Sequence, residues 1–233
     1  MDVLLDVDIK WNNYREDQEF NINHVNIFKL SVDMVHDQIA SIYTKVLSEN
    51  ELMKADRFLH IEDKKRFIVS KYMLRKLLSK FISIPPGSIQ FELSHYKKPF
   101  ITTGIEFNTT YSKNIVLIAI HKKPVGIDVE FVNKDFNYKN LILTVFNKQE
   151  QLLIDSGLNS LINFYLLWTR KEAVLKATGE GLNDELNQID ILQPVVTRNA
   201  VNFSVKSLWI DGSYIMSLTA ENNNDQIYYW NYE

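Results

Sequence analysis

Apolar positions along the chain change period several times, and each change marks an element. In "EDKKRFIVSKYMLRKLLSKFI" Phe67, Leu74, Leu77, Leu78 and Phe81 recur largely at steps of three and four, which predicts a helix with one stripe on a core. Ser48 followed by Glu51 has the capping-box spacing of an earlier helix start, and Pro85 with Pro86 cannot continue a helix. "IQFEL" and "IVLIAI" then read as strands separated by a loop, and "VGIDVEF" as a further strand after the short link Lys122 to Pro124. Asn147 with Glu150 marks another helix start, leading into "QLLI". "LINFYLLWTRKEAVLKAT" is hydrophobic around most of its circumference, so burial between two layers is expected, with Gly179 and Gly181 as its stop. The last part, "VNFSVKSLWI", "SYIMSLTA" and "QIYYW" with a hairpin turn at Asp211-Gly212, reads as an antiparallel sheet. Helices and strands occur on both sides of the link, which predicts an α+β protein of two packed subdomains, 1–122 and 123–233.

Composition narrows the classes. With 233 residues, 45% hydrophobic and 12% aromatic, the chain can build a substantial core. A formal net charge of −3 gives no global argument for nucleic acid or a membrane surface. The absence of cysteine excludes disulfides, a thiolate nucleophile and a zinc-thiolate site, and fits a reducing compartment. The Asp-dotted start lacks the features of a signal peptide, and "IVLIAI" is far short of the roughly 20 apolar residues that cross a bilayer, so a cytoplasmic protein is expected. No phosphate-binding, dinucleotide or nucleophile-elbow glycine motif occurs, and the five histidines share no metal spacing.

The strand "VGIDVEFV" carries two acids. Residues i and i+2 of a strand face one side, about 7 Å apart, so Asp128 and Glu130 converge while Ile127 and Val129 pack behind. Mg²⁺ characteristically takes one or two carboxylates, several waters and a substrate phosphate. The plainer account is a half-exposed strand with acids on its wet face, and the strand alone leaves both open. On the apolar helix Phe164, Trp168, Glu172 and Lys176 follow one another at i, i+4, so two charges share the face that Trp168 is expected to bury. Buried ions need partners, which makes Glu172 a candidate third acid and Lys176 a candidate for a phosphate; an ordinary i, i+4 ion pair is the alternative. Lys and Arg outnumber acids between Lys54 and Lys80, and Lys97-Lys98-Pro99 adds a basic turn. Acids in one half and bases in the other suit a ligand with several phosphates, although each base alone reads more readily as part of a solvated helix face.

With "VGIDVE" and "FYLLWTRKEAVLKATGEGL" side by side, the chain resembles the 4′-phosphopantetheinyl transferases, specifically the large two-domain Sfp type that activates peptide and polyketide synthases. The family's G-[IV]-D-[IV]-E strand matches Gly126 to Glu130, its W-x-x-K-E-[AS]-x-x-K helix matches Trp168 to Lys176, and its G-x-G-L end matches Gly179 to Leu182. "KADRFLHIEDKKRFIVSKYMLRKLL" is similar to its N-terminal helical region, and "KKPF" and "IEFNTTYS" to its K-P-[FY] and F-N-x-S-H-S segments.

The resemblance implies two similar subdomains with pseudo-twofold symmetry and an active site at their interface, nucleotide contacts in 1–122 and Mg²⁺-binding acids in 123–233. It implies transfer of the 4′-phosphopantetheine arm of coenzyme A to a serine of an acyl or peptidyl carrier protein, with Mg²⁺ as cofactor and adenosine 3′,5′-bisphosphate released. Asp128, Glu130 and Glu172 would then be metal ligands and Lys176 a charge-offsetting group. Glu172, or Glu150 through a water, would be the base. Lys54, Arg57, Arg66, Lys98, Tyr111 and Ser112 would be the coenzyme A contacts. Tyr111 stands where the family has histidine and brings a hydroxyl without positive charge. The implied partners are coenzyme A and a carrier domain, without nucleic acid or membrane, and the chain is expected to act as a monomer. The rival from another class is a non-catalytic homologue that binds carrier or coenzyme A.

Overall fold

The computed structural model describes residues 5, 9–155, 159–181, 186–221 and 225–232; Leu182, the last residue of the G-x-G-L match, lies outside them. The first half contains β1 (Asn12–Asn13), β2 (Val25–Ser31), α1 (Val32–Ile39), α2 (Glu49–Asp56), α3 (Ile61–Ile82), β3 (Glu92–Leu93), β4 (Pro99–Phe100), β5 (Glu106–Ser112) and β6 (Ile115–His121). The second contains β7 (Val125–Phe131), α4 (Lys139–Val145), α5 (Lys148–Asp155), α6 (Ser160–Thr178), β8 (Val195–Arg198), β9 (Val201–Ile210), β10 (Tyr214–Glu221) and β11 (Ile227–Tyr232). The expected capping box is present: Ser48 Oγ accepts the Glu51 N–H at 3.3 Å while Ser48 N–H donates to Glu51 Oε2 at 2.9 Å. α3 ends on Ser83 in the left-handed region, before the prolines. No helix among the described residues is long and apolar enough to cross a membrane.

Two sheets stand between two long helices. The first has the order β1-β11-β2-β6-β5 and the second β7-β10-β9-β8. β6 is buried over its whole length because it serves two cores. Val116, Ile118 and Ile120 pack with Leu74, Leu77 and Leu78 of α3, whereas Ile115, Leu117 and Ala119 meet Val125, Ile127 and Val129 of β7 between the sheets. The far face of the second sheet is covered by α6, whose Phe164, Leu167 and Val174 join Val205 and Ile215 in a third core. This is an α+β architecture of two subdomains packed sheet to sheet, as the pattern predicts.

Two strand expectations are corrected. "IQFEL" contributes only the two residues of β3, paired with β4. β9 and β10 do form the expected hairpin, with Asp211 and Gly212 at φ 50° and 65° as a type I′ turn requires. β11, however, leaves that sheet and lies parallel to β2 in the first one. Its alternating side chains suit a strand with apolar neighbours on both faces: Ile227 and Tyr229 join the intersheet core, Trp230 and Tyr232 the α3 core. The last strand of the 123–233 segment thus belongs to the sheet of the first half.

Candidate active site at the seam

β7 is an outer strand of the second sheet, so one row of its backbone groups needs partners from elsewhere. Side chains of β5 supply them. Asn108 Oδ1 accepts the Ile127 N–H at 3.0 Å, and Ser112 Oγ accepts the Phe131 N–H at 3.0 Å. Thr110 Oγ1 donates to Asp128 Oδ1 at 3.0 Å, and Ser112 Oγ donates its own proton to Glu130 Oε2 at 3.1 Å.

Gly126 sets how closely α6 approaches this strand. A Cβ there would overlap the Ala173 carbonyl oxygen and the Ala177 amide nitrogen, and would stand 2.9 Å from Ala177 Cα. The close approach delivers Lys176, whose ammonium donates to Asp128 Oδ1 at 2.6 Å and to Thr110 Oγ1 at 3.4 Å. From Asn163 to Ala177 every residue of α6 is buried except Trp168, Glu172 and Lys176. The stripe expected to be buried by Trp168 is therefore the half-open one, and it faces the acids; Trp168 stacks on Phe164 with ring centroids 6.0 Å apart.

Electrostatics at the seam are unbalanced. Asp128 is 4% exposed, and its Oδ2 is buried without a hydrogen-bond partner. Burial, reinforced by Asp128, pushes the Glu130 carboxyl from 4.5 up to about 7, against Ser112 and Lys176. Burial also raises Glu172, with Lys176 opposing and Asp128 adding. Burial pulls the Lys176 ammonium down, yet Asp128, Glu172 and Glu130 together hold it above its ordinary value. Three acids share one ammonium. Among the described residues no three His, Cys, Asp or Glu groups stand together at metal-holding spacing, and Lys176 takes one oxygen of Asp128. The donor set nevertheless fits a hard cation: oxygen ligands, one buried carboxylate oxygen left over, and two carboxyls raised by burial with the neighbouring Asp128 adding to it.

A cavity of about 240 Å³ opens beside Glu172 and Lys176, with Lys98, Pro99 and Asn108 in its wall. A second, of about 330 Å³, shares Pro99 and is lined by Lys54, Lys71 and Arg75. A larger one, about 490 Å³ around Met53, Lys54, Arg57 and Phe58, is lined by none of the seam acids. Size would favour that one, but the first is the cavity lined by Glu172 and Lys176, and the second adjoins it through Pro99. Lys98 reaches the seam, with Nζ 3.5 Å from Glu106 and its ammonium lowered by burial against Glu106. Lys71 is lowered by burial, and its Nζ stands over the rings of Phe67 and Phe91, 5.9 Å from each.

Several expected contacts are placed differently. Arg66 is engaged by Asp63 and by the Lys113 carbonyl at 3.1 Å, and Ser112 by Glu130 and the Phe131 amide. Tyr111 lies on the other face of β5 and is 44% exposed. Glu150 is not brought to the acids at all. It is 0% exposed, caps α5 through the Asn147 N–H at 2.9 Å, and pairs with buried Lys171 at 2.9 Å. With both oxygens occupied inside a core, it cannot reach a substrate water. The residues missed were Asn108 and Thr110; polar side chains at 108, 110 and 112 of one strand carry a period-two signal that points to a single face.

Comparison with known proteins places the chain in a family. The N-terminal family of 4′-phosphopantetheinyl transferases matches residues 36–123, and the 4′-phosphopantetheinyl transferase superfamily matches residues 124–221. The chain belongs to the 4′-phosphopantetheinyl transferase superfamily. It is 28% identical over 222 residues to the 4′-phosphopantetheinyl transferase HetI of Nostoc sp., covering 90% of this chain and 93% of that one. The Sfp enzyme of Bacillus subtilis is 28% identical over 153 residues, 64% of this chain and 67% of its own length. The gsp transferase of Aneurinibacillus migulanus is 33% identical over 133 residues, 56% and 55% of the two chains. The chain is thus a family member of the larger, Sfp-like type, and its Gly126 to Glu130 strand and Trp168 to Lys176 helix are the segments that meet at the seam.

Proposed function

We propose that the protein transfers the 4′-phosphopantetheine arm of coenzyme A to a serine hydroxyl of an acyl or peptidyl carrier protein, with Mg²⁺, releasing adenosine 3′,5′-bisphosphate. The observation that carries this reading is the meeting of Asp128, Glu130, Glu172 and Lys176 across β7 and α6, beside a cavity that shares Pro99 with a basic one. Asp128, Glu130 and Glu172 would hold the cation, which supplies charge stabilisation to the pyrophosphate oxygens when bound. Lys54, Arg57 and Lys98 hold the nucleotide phosphates. Glu172, its carboxyl raised by burial, accepts the proton of the attacking serine. The serine oxygen bonds to the phosphorus carrying pantetheine as the anhydride P–O bond breaks, and Lys176 faces the charge that develops. One chain supplies both walls of the site, which supports action as a monomer; the cysteine-free composition supports a cytoplasmic setting.

The test is mass spectrometry of apo carrier proteins incubated with the protein, coenzyme A and Mg²⁺. The expected result is one phosphopantetheine added per carrier serine. Coenzyme A binding without any transfer across a carrier panel would instead identify a non-catalytic binding homologue.

A further inference from the structure

We infer that Thr110 and Ser112 are positioning residues that fix how the two strand carboxylates meet a cation, and thereby set which cation the site prefers; the inference rests on the magnesium reading above. Each hydroxyl takes one oxygen of the acid opposite it. Thr110 Oγ1 donates to Asp128 Oδ1 at 3.0 Å, and Ser112 Oγ to Glu130 Oε2 at 3.1 Å. Asp128 Oδ1 also carries the Lys176 ammonium, so that oxygen is fully committed while Oδ2 is buried and unpartnered. The hydroxyls are themselves held in place. Thr110 is 6% exposed, and Ser112 Oγ is fixed by the Phe131 N–H.

A carboxylate held by one oxygen offers only the other. Single-oxygen contacts suit Mg²⁺, which demands compact octahedral geometry, whereas Ca²⁺ readily takes both oxygens of one carboxylate. Two acids two residues apart, each restrained by a hydroxyl two residues apart on the facing strand, therefore present a pair of single-oxygen ligands. Removing the Ser112 hydroxyl frees Glu130 to rotate and offer both oxygens, whereas removing the Thr110 hydroxyl leaves Asp128 Oδ1 on Lys176 alone and loosens its restraint.

The experiment titrates the full chain with MgCl₂, and separately with CaCl₂, without coenzyme A, by calorimetry and by thermal-shift midpoint. Thr110→Val, Thr110→Ser and Ser112→Ala are compared with the wild type. Groups that orient metal ligands are worth about 10-fold or more in affinity, so Thr110→Val and Ser112→Ala should each weaken Mg²⁺ by about that factor while Ca²⁺ falls less. The Mg²⁺ to Ca²⁺ affinity ratio should drop in both, and Thr110→Ser should restore it. A ratio unchanged in both variants overturns the inference, whatever happens to stability, because a purely structural hydroxyl moves the unfolding temperature without moving ion preference. Should Thr110→Val not fold, Ser112→Ala decides alone. A wild type that binds neither ion removes the magnesium reading and this inference with it. A wild type that binds Mg²⁺, with variants that keep its ratio, removes this inference only.

Discussion

Replacing Glu130 by glutamine tests the electrostatic core of the site without any substrate. Burial and the neighbouring Asp128 raise the Glu130 carboxyl from 4.5 to about 7 in the folded protein. The folded state therefore holds this proton more tightly than the unfolded chain. Stability contributed by the group is complete below pH 4.5 and is lost progressively as pH rises to about 7. The displacement corresponds to about 3 kcal/mol, at about 1.4 kcal/mol per pH unit. Glutamine keeps the size of the protonated acid and still accepts the Ser112 hydroxyl, but it does not titrate. Urea unfolding followed by tryptophan fluorescence, in buffer containing a chelator, compares the two proteins from pH 4.5 to pH 8. The variant should match the wild type at the acid end and exceed it by about 3 kcal/mol at the alkaline end. Added Mg²⁺ should shrink the gap at pH 8, because a bound cation stabilises the ionised wild-type site and not the amide. A difference between the two proteins that stays flat across the window would refute the reasoning.

Other substitutions probe separate links. Gly126→Ala forces α6 away from β7 and should destabilise by about 1–3 kcal/mol, with a larger loss of transfer because Glu172 and Lys176 ride on that helix; unfolding and turnover are compared. Lys176→Met leaves Asp128 buried with its ion partner gone, which should lower stability by about 3 kcal/mol in chelator and make Mg²⁺ strongly stabilising in a thermal-shift assay. Glu150→Gln strips buried Lys171 of its counter-charge and should cost about 3–5 kcal/mol of stability, while transfer persists at temperatures where the variant is folded. Turnover reduced by orders of magnitude at unchanged stability would return Glu150 to the role of base.

Much of this fold was legible because the signals are local. The Ser48 and Glu51 capping box, the stripe of α3, the strand "IVLIAI" and the Asp211-Gly212 turn all depend on residues within a few positions of one another. The destination of β11 depends on pairing with β2, some two hundred residues earlier, and "IYYWNY" is amphipathic on neither face, so its own pattern cannot choose a sheet. The same division holds at the site. Asp128 and Glu130 stand out as two acids on one face of an apolar strand. Glu150 makes the cap that its spacing from Asn147 shows, but the base role implied for it by the resemblance fails on its pairing with Lys171, which is a tertiary fact. Thr110 escaped notice because a hydroxyl gains its meaning from what lies across the seam, and Asp128 and Lys176 reach it only when β5, β7 and α6 are packed together.

The most direct measurement is the mass of an apo carrier protein after incubation with coenzyme A and Mg²⁺, using the wild type, Asp128→Ala and Glu172→Ala. The account predicts a single phosphopantetheine addition by the wild type, lost when Mg²⁺ is chelated and lost in both variants. Addition that persists undiminished in Asp128→Ala and Glu172→Ala would contradict it, because the seam acids would then have no part in the transfer.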